Sequence, residues 1–283
     1  MTIRIAWLGT TAVAVAATVS PALAETPFKT SVAPGTRHYR YVATEQPAGQ
    51  QPSRYRVDFD LVTDANGGVT AIVRKAEAAK GDSWTTTMVD ADCKKALHGK
   101  GATLARVTLA PLSPEAAASL GEPFMAMCAP PAYFFPMTDI LNVSLIQTSP
   151  SFHLADLTAF GAKARFDGFS TKLDRFGRAI AGSSPGGEIT LSALDGQVAT
   201  VDWAPDPFQL TIVQHAAAGS PEMTMAGFEH YAFCVEIDRM TGALRRAVTT
   251  VDSLDMVISM PGLPADKAPH IAITRQVTIE PRD

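Results

Sequence analysis

From about residue 35 onward, apolar and polar side chains alternate at every second position over much of the chain. In 54–61, Tyr55, Val57, Phe59 and Leu61 fall in one phase and Arg54, Arg56, Asp58 and Asp60 in the other. Near the C-terminus Ile271, Ile273, Val277 and Ile279 alternate with Thr274, Gln276, Thr278 and Glu280, and in mid-chain Phe208, Leu210 and Ile212 alternate with Gln209 and Thr211. A period of two places successive side chains on opposite faces of a strand. One dry and one wet face suits antiparallel sheets, whereas parallel strands buried on both faces would read as unbroken Val/Ile/Leu runs. The alternation therefore predicts antiparallel β structure.

Turn chemistry agrees. Asp64-Ala65-Asn66-Gly67-Gly68 and Asp195-Gly196 each join two alternating runs, and Asn-Gly or Asp-Gly pairs supply the positive φ that tight hairpins need. The segments 172–178 (KLDRFGR) and 236–242 (EIDRMTG) both place Asp and Arg ahead of a glycine, as convergent hairpin turns do. Pro47–Ser53 reads as a surface loop. Helical signal is sparse: Ser113-Pro114-Glu115 before an Ala-rich run that Gly121 stops predicts one short helix, and 90–97 and 151–160 suit a turn or two. The expected fold is mainly β, a large curved antiparallel sheet, half-barrel or sandwich-like, with one or two short helices and a Pro-rich insertion. Such a sheet resembles, in architecture alone, the half-barrels of bacterial envelope carriers and sensors.

Residues 1–24 stand apart. Arg4 precedes an apolar stretch, Ile5 to Val19, too short for a bilayer span of ~20 residues, and Ala22-Leu23-Ala24 is the small-x-small pattern of a signal-peptidase site. A signal peptide cleaved after Ala24 is expected, leaving a single β-rich domain over 25–283 in the periplasm or secreted. The most apolar later segment, Phe124 to Met137, is interrupted by Pro130, Pro131 and Pro136, so no transmembrane segment is expected after cleavage. Twenty-four basic against 28 acidic side chains give a charge of −4, which does not fit a nucleic-acid binder. Three cysteines remain after cleavage. Cys93–Cys128 is the expected disulfide, stapling Gly- and Pro-rich segments, and Cys234 reads as a small buried apolar side chain in a strand.

Candidate chemistry is thin. Gly182-Ser183-Ser184-Pro185-Gly186 matches the G-x-S-x-G nucleophile elbow, but an alternating strand pattern follows where a helix is required. Pro185 also has no N–H to line an oxyanion hole, so a flexible loop is expected there. The six histidines show no i, i+4 pairing. Asp90, Asp92, Cys93 and His98 are read as caps and a disulfide partner, not metal ligands. His230 and Glu236 share a strand face at ~20 Å and are expected to face solvent, as are Asp58 and Asp60 beside Arg54 and Arg56. No catalytic residue, metal or cofactor is expected. The exception to this plainness is 113–137, a helix-plus-lid insertion in which Phe124, Met127, Tyr133, Phe134 and Phe135 concentrate adaptable apolar side chains. They are the expected ligand-binding residues, over a concave sheet. The function expected is a non-enzymatic binding or carrier protein for a lipid, another apolar molecule or a partner's hydrophobic segment. The alternatives are an exported hydrolase whose site is assembled from distant strands, and an envelope structural or interaction module.

Overall fold

The structure is a computed structural model that describes residues 28–29, 32–65, 69–86, 98–101, 108–109, 154–175, 178–215 and 221–282. The expected signal peptide (1–24), the helix-plus-lid insertion (113–137) with its five candidate ligand residues, and Cys93 and Cys128 all lie outside these residues.

Among the described residues, thirteen strands form one sheet. They are β1 (Gly35–Pro47), β2 (Ser53–Thr63), β3 (Val69–Lys80), β4 (Ser83–Thr86), β5 (His98–Gly101), β6 (Thr108–Leu109) and β7 (Lys163–Arg175). After them come β8 (Arg178–Asp195), β9 (Val198–Pro205), β10 (Phe208–Gln214), β11 (Met223–Asp238), β12 (Leu244–Ser259) and β13 (His270–Pro281). Every pairing is antiparallel. β9 and β10 are two halves of one ribbon: β8 pairs Gly187 with Pro205 and Ser183 with Gln209 in unbroken register. Pro207, without an N–H, marks the break between them. In lateral order the sheet runs β7, β8, the β9–β10 ribbon, β11, β12, β13, β1, β2, β3, β5, β6, with β4 also on β3. The sheet curls part of the way into a ring.

The expected hairpins form where the turn residues stand. Thr63 pairs with Val69, the two ends of the expected β2–β3 hairpin, and Asp195 pairs with Val198 across Gly196. In the β11–β12 turn the Asp238 carboxylate accepts from the Met240 and Thr241 N–H groups and from Arg245. The helical content of the described residues is two 3-10 turns, Leu154–Asp156 and Ala265–Lys267.

Alternation decides the inner face. Tyr39, Tyr41 and Ala43 of β1 meet Phe59, Val57 and Tyr55 of β2 in register, and Tyr41 and Ala43 meet Ile279 and Val277 of β13 on the other side. Farther round, Trp203 is fully buried, with its ring centroid 5.3 Å from Tyr231, 5.9 Å from Phe166 and 6.0 Å from Phe233. Leu154 and Leu157 are buried in the same core cluster. Each fully buried aromatic or branched side chain stabilises by ~1.5–3 kcal/mol relative to exposure. The Tyr39 hydroxyl donates to the Leu244 carbonyl at 3.1 Å, and burial pushes this phenol up to about 12.

The glycine-rich stretch of β8 corrects one expectation. Residues 182–186 are not a flexible loop but the middle of an 18-residue strand. Gly182 lies directly under the Phe208 ring, and Gly187 under the Phe166 ring against the Ala204 carbonyl, where a Cβ would collide. Gly186, at φ +132°, takes a conformation that L side chains rarely adopt. Small residues let the ribbons approach where aromatic rings lie across them.

Candidate functional site

Three adjacent strands each carry one charged residue in the phase that points to the dry side. On β13 it is Arg275, between Ile273 and Val277; on β11 it is Glu229, two residues before Tyr231; on β12 it is Asp252, two residues before Leu254. The register brings them together, because Leu254 pairs with Glu229 and with Ile273 while Asp252 pairs with Tyr231. The Arg275 guanidinium donates to Glu229 Oε1 at 2.6 Å through Nη2 and to Asp252 Oδ1 at 3.0 Å through Nε. The side chains are 2%, 8% and 0% exposed for Arg275, Glu229 and Asp252 respectively. Beside them, Glu45 of β1 is the register partner of Arg275 and accepts a 2.7 Å hydrogen bond from the Tyr55 hydroxyl. A polar band thus crosses an otherwise apolar inner wall. Its central guanidinium is clamped by two carboxylates in a low-dielectric setting, where removing one member costs far more than an exposed pair would.

This band contains no imidazole, and the Glu229 and Asp252 carboxylates are engaged by Arg275. It can present a fixed polar anchor amid aromatic and aliphatic surface.

The other candidates fall elsewhere. Ser184 is buried, with its hydroxyl bonded to the Gly186 and Asp206 carbonyl oxygens at 2.9 and 3.1 Å, so it ties β8 to the β9–β10 connection rather than exposing an attacking oxygen. His38 bonds Asp60 at 2.7 Å and His270 bonds Asp255 at 3.3 Å, both on the surface. Neither ring meets a Ser, Thr or Cys among the described residues, so no hydroxyl–imidazole or thiol–imidazole pair forms at these two rings. His230 is exposed and Glu236 half-buried on the outer face, as expected. Among the described residues no group of three His, Cys, Asp or Glu side chains could hold a metal ion, and no helix is long and apolar enough to cross a membrane.

Two expectations need correction. Cys234 is a free thiol, half-buried on the outer face opposite Asp202 and Val248, not part of the apolar core. Burial first, then the nearby Asp202 and Glu236 carboxylates, push its thiol up to about 11, which makes it a poor nucleophile. Asp58 and Asp60 do lie on the wet face, yet both are buried. Arg40 and Arg282 close over Asp58, and His38 and Arg74 over Asp60. Burial works to raise the Asp60 carboxyl, but the hydrogen bonds from Arg74 and His38 outweigh it and hold the group below its ordinary value.

The signal for the buried triad was present in the alternation, as a charge standing in an apolar phase on each of three strands. It went unread because nothing local says that these strands are neighbours. Comparison with protein-family models and with curated proteins found no match to this chain.

Proposed function

We propose that the chain is an exported, non-enzymatic binding protein that carries a lipid or another largely apolar molecule with one polar end along the inner face of its curved sheet. The observation that carries this reading is the polar band of Arg275, Glu229 and Asp252 within a wall built by Trp203, Tyr231, Phe208, Leu254 and Ile273. Small-molecule sites combine such apolar linings with a few fixed polar groups that set orientation. Apolar ligand area buried there would contribute ~25 cal/mol/Å², and the band would select ligands by their polar end. The Met- and aromatic-rich 124–137 segment supports the reading as an adaptable cover, and the pattern of residues 1–24 supports export.

Native mass spectrometry of protein expressed with residues 1–24 tests both parts. The expected result is a chain beginning at Glu25 that carries a copurified apolar adduct, with a melting temperature that falls on delipidation and recovers on adding fatty acid or phospholipid. An adduct-free chain whose melting is indifferent to every lipid would overturn the carrier reading, and an intact N-terminus would overturn export.

A further inference from the structure

The outer face of β1–β4 and the end of β13 is built in two tiers. Asp58, Asp60 and Glu77 form the lower tier, all three buried. Each is bridged by two basic groups above it: Arg40 and Arg282 on Asp58, Arg74 and His38 on Asp60, Arg56 and Lys75 on Glu77. The upper tier meets solvent. Arg74 is 54% exposed over an Asp60 that is 8% exposed, and Arg282 is 44% exposed over an Asp58 at 3%. Arg54 adds a cation with no ion pair among the described residues. Its guanidinium lies 5.4 Å from the centre of the Trp84 ring, and that of Arg56 lies 4.4 Å from it. Counting Glu280 beside Arg40 and leaving His38 aside, six cations outnumber four carboxylates on this face among the described residues. The chain as a whole carries −4.

The buried acids hold these basic groups in place while leaving their outer edges to solvent, and the Trp84 ring lies beneath Arg56 and one further guanidinium, that of Arg54. Fixed cations cost less conformational entropy when they bind than free ones do. Strand spacing sets neighbouring groups ~5 Å apart across the sheet and ~7 Å along it, a two-dimensional array rather than a pocket around one anion. Trp at the margin of such an array is the side chain favoured at the membrane–water boundary. We infer that this face docks the protein on the anionic phosphates of a lipid bilayer surface, with the outer sheet of β1–β4 turned to the headgroups. The inference goes beyond the carrier reading and stands whether or not the inner face holds a ligand.

Sedimentation with vesicles tests it. The chain should pellet with vesicles of phosphatidylcholine and phosphatidylglycerol in equal parts, stay in solution with phosphatidylcholine alone, and be released by raised salt, because exposed charges are screened beyond ~10 Å at 0.1 M. Arg54→Gln and Arg282→Gln leave a cation on every buried acid, Arg40 remaining over Asp58. Each should weaken binding by about fivefold, whereas the double Lys variant at the same positions should bind within about twofold of the parent. Equal pelleting with both vesicle types, binding unmoved by the two Gln variants, or full displacement by inorganic phosphate at matched phosphate concentration would each overturn the inference.

Discussion

At the scale of single residues, Glu77 shows how this protein keeps charge in dry places. The hydrogen bond from Arg56 is the largest influence on its carboxyl; burial opposes it, Lys75 reinforces it, and the group settles at about 2 against an ordinary 4.5. The sign follows from linkage. An acid whose pKa is depressed by folding contributes stability that is fully present above the unfolded value, near 4.5, and is lost as pH falls through about 2. Glu77→Gln is therefore expected to lower stability at neutral pH by about 1.5–3 kcal/mol, the range for hydrogen bonds to charged groups. The difference between parent and variant should shrink as pH falls from 4.5 towards about 2. Urea denaturation across that window measures it, and a constant offset at every pH would contradict the assignment. The sequence displayed Arg56 and Asp58 in a wet phase, but not that arginine side chains would roof the acids, because a cross-strand roof depends on register.

Among the elements, the glycine-rich middle of β8 is the least legible in the sequence. Glycine and proline in 182–187 are the residues that usually punctuate a chain, and their local meaning was a loop. The sheet uses them otherwise: Gly168 sits against the Ser184 and Pro185 carbonyls, and Gly187 against Phe166 and the Ala204 carbonyl. The strands on either side were readable, since 188–194 and 197–203 keep the two-residue period and Asp195-Gly196 closes their turn. Gly187→Ala should destabilise by about 1–3 kcal/mol, the usual cost of overpacking a closed site. Gly196→Ala, at φ +43° with open space around it, should cost about 1 kcal/mol, from backbone conformation alone. Paired thermal melts read the ordering, and equal costs would mean that the close approach at β8 relaxes freely.

For the whole molecule, what matters is which strands become neighbours. Hairpins follow from local turn signals, but the pairing of β13 with β1 joins the last strand to the first, and no local pattern announces it. That pairing sets Glu45 beside Arg275, while β11, β12 and β13 bring Glu229, Asp252 and Arg275 into one band. Two roles for the triad separate experimentally. Arg275→Met alone leaves two buried carboxylates without their guanidinium and should cost about 3–5 kcal/mol. Replacing all three together, Arg275→Met with Glu229→Leu and Asp252→Leu, removes charge and partner at once. Substitutions of that kind are neutral or stabilising by about 1–4 kcal/mol in other proteins, so the triple variant should fold. If the band orients a ligand's polar end, the triple variant should still be raised in melting temperature by a wholly apolar probe such as a long-chain alkane. It should no longer rank fatty acid, fatty alcohol and fatty amine apart, whereas the parent should. A triple variant that keeps the parent's ranking would reduce the triad to an internal brace and leave selection to the aromatic wall.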